Sequence, residues 1–312
     1  MSDATRRANK PGTNAPARLR TGARRPSGRL QGAVFAGCAF LAALAVAFIF
    51  CFLAWFSLPL FSGGRLAPLF TWVWNPMQNQ FGILPMAVSS LMLAATAMLG
   101  AYPAAVGLCF FMHGLGPSRL AGPLMSLVRF MTAVPTVAYG FVAAILLTPL
   151  LRQTFASGTG YCWLAASMAL SVLILPTITL IVDGRFSNIA PGLRTTGEAL
   201  GLSRSQILLH LVLPQSRRAL IAAAALGFGR AAGDAVIALM LSGNAARVPH
   251  SPLDSMRVLA AHIALVLATD SQSEAYASLF ACGLLLFAVI IAVNAVLRLL
   301  DRESSGGPGS RG

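Results

Sequence analysis

The chain has 312 residues, 56% of them hydrophobic and 10% charged, which is more apolar surface than a soluble core absorbs, and several uncharged runs reach the roughly twenty residues that cross a bilayer. A net charge of +14 would suggest nucleic acid in a soluble protein, but the arginines sit at the ends of apolar segments and in a terminal tail, so topology is the simpler cause and no nucleic-acid partner is expected. Lys10 is the only lysine, so no Gly-Lys-Ser/Thr phosphate loop can form, and any ATP-driven step belongs to another polypeptide.

Residues 1–30 are rich in Arg, Pro, Gly, Ala and Ser and are expected to be a disordered cytoplasmic tail, either a solvated topology signal or a segment drawn to anionic membrane lipid. The apolar run Gly32 to Phe56 is longer than a signal-peptide core and lacks a small-x-small cleavage site, so it reads as a retained first span. The rival, a cleaved signal, would leave five spans. Trp55, Trp72 and Trp74 suit an interfacial aromatic belt. Further spans are predicted at Leu84 to Met112, Leu120 to Leu151, Cys162 to Val182, Ala219 to Leu241 and Tyr276 to Leu300, giving an all-α membrane protein with six transmembrane helices in a domain covering residues 31–303. With the N-terminus inside, 17 of the 23 basic residues lie on the inner side. Only Arg65, Arg152, Arg247 and Arg257 lie outside, and Arg129 and Arg230 fall within spans. That asymmetry sets the orientation. Gly100, Pro103 and Gly107, then Pro123, Pro135 and Gly140, punctuate the second and third spans and place them in the bundle interior. Cys38, Cys51, Cys109, Cys162 and Cys282 have no paired short spacing and read as small buried hydrophobes.

Residues 191–214, within a polar elbow at 183–217, break this pattern. Pro191 suits a first helical position, Gly201 a left-handed residue past a helix end, and Ser203 with Gln206 a capping box. The spacing predicts two short helices around Gly201, the second carrying Ile207, Leu208, Leu211 and Val212 and too short to cross a bilayer. It lies beside the membrane, either presenting a surface to a partner or packing under its own bundle.

On the fifth span Arg230 and Asp234 fall four apart on one helical face, where a charge is costly unless paired or wet. They form either an intrahelical ion pair in a glycine-lined packing face or a site that a solute approaches past Gly227, Gly229 and Gly233. Arg129 either snorkels to the inner interface or adds a second cation to the pathway. In the outer loop, residues 243–275, the stretch Leu253 to Leu267 is amphipathic with Asp254, Arg257 and His262 on its polar side, and predicts a helix that caps the bundle or offers a docking face. His250 and Asp254 are too few to hold a metal. Asn294 suits a helix–helix hydrogen bond, residues 304–312 form a flexible tail, and no catalytic set is present.

Gly201 followed after nine residues by Leu211-Val212-Leu213-Pro214 resembles the cytoplasmic signature loop of ABC importer permeases, although Thr195, Thr196 and Gly197 stand where that family has Glu-Ala-Ala. Trp74-Asn75-Pro76, Phe81-Gly82-Ile83-Leu84-Pro85, Thr132-Ala133-Val134-Pro135-Thr136-Val137-Ala138-Tyr139-Gly140, Leu175-Pro176-Thr177, Gly227-Phe228-Gly229-Arg230-Ala231-Ala232-Gly233-Asp234 and Gly243-Asn244 are similar to successive landmarks of its phosphate-type members. Arg129 and Asp234 depart from the family's usual acid and glutamate. The resemblance implies a type I permease fold with cytoplasmic coupling helices in the bacterial cytoplasmic (inner) membrane, forming half of a phosphate pathway. Its implied partners are an ATPase dimer, a second permease subunit and an extracytoplasmic solute-binding protein. By the same resemblance Glu198, Ala199, Gly201, Ser203, Leu211, Leu213 and Pro214 couple to the ATPase, while Arg230, Asp234, Gly229, Gly233, Pro135 and Tyr139 line the pathway. The chain itself would then be no enzyme and hold no cofactor, ATP being bound by the partner. Sulfate, molybdate or tungstate are the alternative solutes. An ion-coupled secondary carrier is the rival mechanism, and it would show discontinuous helices in two matching halves.

Overall fold

Long uncharged apolar runs satisfy their backbone in a bilayer as helices, and a computed structural model, which describes residues 27–62, 69–78, 80–156, 158–269 and 274–304, is helical through them. Helix α1 (Ser27–Ser62) precedes a two-stranded antiparallel hairpin, β1 (Trp74–Asn75) and β2 (Gln80–Phe81), with Trp74 opposite Phe81. Helix α2 (Leu84–Phe110) runs into a π-helical turn, Phe111–Leu115, followed by α3 (Ser118–Ala133), α4 (Thr136–Phe155) and α5 (Trp163–Ala199). The elbow helix α6 (residues 204–215) has a π-helical middle at Leu208–Val212. Then come α7 (Arg217–Gly233), α8 (Val236–Leu241), α9 (Leu259–Thr269) and α10 (Glu274–Ser304). The basic tail with Lys10, Arg65 and the stretch beyond residue 304 lie outside the described residues.

Among the described residues five stretches are long and apolar enough to cross a membrane: Gln31–Leu58, Leu84–Leu115, Thr136–Phe155, Trp163–Ala199 and Ser278–Val296. The predicted third span, Leu120 to Leu151, is corrected. Val134 and Pro135 are extended (ψ 127° and 142°), because the proline ring disfavours helical backbone at the residue before it. Helix α3 is therefore a separate element whose only buried residue is Val128, and Arg129 is exposed on it rather than inside a span. The predicted fifth span is likewise interrupted, since Asp234 is extended (ψ 111°) between α7 and α8. Residues 217–241 therefore form two helices and not one continuous span.

The chain divides into two units, residues 1–49 and 50–312. In the first, Val34, Phe35, Phe40, Leu41 and Leu44 are exposed along α1, a surface suited to lipid rather than water. In the second, Ala94, Ala97, Ala101 and Ala105 of α2 meet Leu170, Ile174 and Ile178 of α5 and Ala223 and Ala231 of α7 in one core. Small residues let these backbones approach closely. Ser171 Oγ donates to the Ala97 carbonyl at 2.9 Å and Trp163 Nε1 to Thr96 Oγ1 at 3.0 Å, tying α2 to α5. A smaller core joins the hairpin to α9 and α10 through Phe81, Ile83, Met86, Leu259 and Leu279.

The outer-loop helix begins at Leu259, not Leu253. Its first turn is set from α2, where Ser90 Oγ accepts the Leu259 N–H at 2.8 Å. His262, expected on a polar face, is fully buried, with its ring edge-on to Trp74 at 4.2 Å. Of the cysteines, all five expected to be buried, Cys109, Cys162 and Cys282 are buried, but Cys38 and Cys51 are exposed on α1.

Candidate functional site

The elbow forms at the end of α5 by local capping. Gly201 has φ 74°, Leu202 N–H bonds the Gly197 carbonyl at 3.0 Å, and Gly201 N–H bonds the Glu198 carbonyl at 3.0 Å. This Schellman pair ends the helix through a left-handed residue that favours glycine. Chain direction reverses, and α6 starts with a capping box: Ser203 N–H donates to Gln206 Oε1 at 2.8 Å and Gln206 N–H to Ser203 Oγ at 3.4 Å. Pro191 does not begin a helix. It lies inside α5, which runs unbroken for 37 residues, so the elbow is the tip of a long helix folded back on one short one rather than two short helices.

Gly197 makes the fold-back possible. A Cβ there would stand 2.5 Å from Ile207 Cγ1 and 2.8 Å from its Cδ1, so only a glycine lets α6 lie this close. Ile207, Leu208 and Val212 are buried beneath it, and Leu211 and Leu213 pack partly against the same core. Glu198, Ala199, Gly201, Ser203 and Pro214 are exposed, as are Leu200 (72%) and Leu209 (50%). The sequence pattern marks neither leucine: Leu200 is the C-cap of α5, which has no face left to bury it, and Leu209 lies in the π-helical middle of α6. The expected coupling residues therefore separate into an exposed ridge and an inward-packed pair.

A second grouping gathers where two helices break. Gly140 of α4 admits Met240 of α8, whose Sδ would lie 2.6 Å from a Cβ on that glycine, and this contact sets the broken segments side by side. Arg230 is exposed at the end of α7, and among the described residues it has no hydrogen-bond or ion-pair partner. The expected Arg230–Asp234 ion pair is absent because the helix that would put them on one face ends at Gly233. Instead Asp234 Oδ1 accepts the Ile237 N–H at 2.8 Å and caps α8. The Tyr139 hydroxyl donates to the Met131 carbonyl at 2.7 Å across the α3–α4 break.

Around Arg230 the expected glycines differ. Gly233 faces open space, and a Cβ on Gly229 would lie 3.9 Å from Asn294 Nδ2. Gly227 is a packing glycine, 2.9 Å from Ile178 on the same measure. Asn294 donates to the Ile290 carbonyl of its own helix at 2.8 Å, not across helices. Pro135, exposed at the start of α4, leaves that helix beginning beside the cluster. The N-termini of α4 and α8 thus both fall at the breaks, and helix N-termini favour anions. The unpaired guanidinium of Arg230, in the last turn of α7, has the planar fork that suits a tetrahedral oxyanion.

In the outer loop His250 and Asp254 do not form a ligand pair. Asp254 Oδ2 accepts the backbone N–H groups of His250 and Ser251, both at 2.9 Å, and these bonds hold the half-buried carboxyl below its ordinary pKa. Among the described residues no group of three or more potential ligands could hold a metal.

The chain is similar to known transport proteins. The profile of the family described as binding-protein-dependent transport system inner membrane component matches residues 105–305. A probable ABC transporter permease protein of Bacillus subtilis, YqgH, is 31% identical over 231 residues, 73% of this chain and 75% of that protein. The phosphate transport system permease protein PstC of Xylella fastidiosa (strain 9a5c) is 28% identical over 282 residues, 82% of this chain and 87% of its own length. Among solved structures, a chain of the MetNI methionine ABC transporter in inward-facing conformations superposes with a TM-score of 0.55 at 16% identity, over 75% of this chain and 100% of that one. This last likeness concerns the fold.

Proposed function

We propose, from the premise that this chain belongs to the family of binding-protein-dependent transport system inner membrane components, that it lines half of the passage by which an ATP-driven importer takes up inorganic phosphate. The observation that carries the solute class is Arg230, unpaired and exposed at the junction of two broken helices. Phosphate rather than another oxyanion is supported by the PstC relatives. In this reading the N-terminus and the elbow face the cytoplasm. The ridge of Glu198, Ala199, Leu200, Gly201, Ser203 and Pro214 receives the ATPase dimer, a second permease subunit completes the passage, and an extracytoplasmic binding protein delivers the anion. ATP is bound and hydrolysed by the partner, and this chain holds no cofactor and performs no chemistry. Its residues orient and neutralise the anion in transit: Arg230 supplies paired donors, the α4 and α8 N-termini add partial positive charge, and the Asp234 carboxylate, held by the Ile237 amide, keeps the anion from binding too tightly to leave.

The test is uptake into liposomes carrying the complete importer. Arg230→Gln abolishes phosphate uptake while all subunits still co-purify, and wild-type uptake by that variant removes the assignment. Competition by sulfate or molybdate at the binding protein separates the solutes. Accumulation without nucleotide hydrolysis would instead establish a carrier, the rival for which interrupted helices were expected.

A further inference from the structure

We infer a second anion site, at the elbow end of the bundle, that takes a phosphate group. A cavity of about 340 Å³ opens between the π-helical turn, the start of α3, α5 and α6, and its lining includes His113, Ser118, Arg194 and Arg204 but none of the residues around Arg230. Water takes about 30 Å³ in the liquid, so a tetrahedral phosphate fits with part of its hydration shell. The Arg204 side chain has no hydrogen-bond or ion-pair partner among the described residues, and the Arg194 side chain meets only Glu198, with Nε 3.6 Å from Oε1, beyond hydrogen-bond length. Both guanidinium forks are therefore available to one ligand. Of the nearby carboxylates, Asp183 is taken by His113, whose Nε2 lies 2.8 Å from Asp183 Oδ1, and Glu198 is the competitor for Arg194. The opening turn of α3 borders the same space without a side-chain cap, its N-cap being Pro117.

Two arginines converging from α5 and α6 on one polar cavity, with Ser118 on its rim, are a receptor for an anion with several oxygens. The phosphate group has two possible sources: free inorganic phosphate, or the headgroup of an anionic lipid. The inference rests on the function proposed above only in placing this end of the bundle at the cytoplasmic side. The binding chemistry is independent of it.

The test uses the full chain in nanodiscs. Inorganic phosphate binding is measured in phosphatidylcholine discs, and phosphatidylglycerol retention is measured in mixed discs by native mass spectrometry. Arg194→Gln with Arg204→Gln weakens binding of whichever source is used by about tenfold or more, and the same loss is read in an Arg230→Gln background, where the passage contributes no binding, which separates this site from the passage. Glu198→Gln, which frees Arg194, tightens binding, a gain that misfolding cannot produce. Binding of phosphate alone identifies the free ion as ligand, and retention of the lipid alone identifies the headgroup. If the wild-type chain binds neither, or the double variant binds as well as wild type, the site does not exist.

Discussion

Replacing Asp234 tests whether this residue holds the α7–α8 junction as a hydrogen-bond acceptor or as a charge. Its Oδ1 accepts the Ile237 N–H at 2.8 Å and satisfies an amide in the first turn of a six-residue helix whose Ile237, Ala238 and Leu241 are buried. Loss of an N-terminal cap costs about 1 kcal/mol, and a partly buried unsatisfied amide costs about 1–3 kcal/mol. Asp234→Ala should therefore destabilise by about 1–2 kcal/mol, a fall of roughly 2–8 °C in Tm at about 2–4 °C per kcal/mol for a chain of this size. Asparagine caps as well as aspartate, so Asp234→Asn should stay within about 0.5 kcal/mol of the parent. Buried Cys109, Cys162 and Cys282 report unfolding to a thiol-reactive dye in detergent, once exposed Cys38 and Cys51 are replaced by serine. An asparagine variant that melts as early as the alanine variant would refute the capping argument and assign the junction to charge.

Three other outcomes are expected from the same geometry. Gly197→Val places a side chain against Ile207 and should push α6 off α5 at about 1–3 kcal/mol, with less ATPase co-purifying; unchanged recovery would mean that this packing does not position the ridge. Gly201→Asp forces a side chain into φ 74° at about 1 kcal/mol and adds charge to the exposed ridge, so ATP-coupled uptake should fall, and survival of coupled uptake would count against the elbow as the socket. Burial, with the Arg257 charge adding to it, lowers the His262 pKa to about 3 from 6.5. Between those values the unfolded chain binds a proton that the folded chain does not, so stability should fall with decreasing pH below about 6.5, by about 1 kcal/mol per unit. His262→Leu should flatten that slope between pH 6.5 and 5, and a slope unchanged by the substitution would place the acid sensitivity elsewhere.

Local signals were legible in the sequence and distant pairings were not. Gly201 and the Ser203–Gln206 cap could be read because each acts on backbone within a few residues of itself. Pro135 is visible too, but its restriction of Val134 competes with an apolar run whose composition is continuous across it. The break at Asp234 carried a signal of the same kind, an aspartate after glycine that can cap the next helix. Pro191 misled because a proline near a solvent-facing helix end removes one hydrogen bond that water can replace, which does not end the helix. Gly197, the burial of His262 under Trp74 and the His113–Asp183 contact depend on residues 10 to 188 positions apart in the chain, and one sequence holds no mark of such pairings.

Helix α5, unbroken for 37 residues, measures about 55 Å at 1.5 Å per residue. Its ends answer to each other as those of a lever do: a tilt of about 5° imposed at the tip by Gly201 would sweep Trp163 through about 5 Å, comparable to the 5.4 Å pitch of one helical turn. Little flexing within the chain would then be needed for a small stroke at one surface to change access at the other.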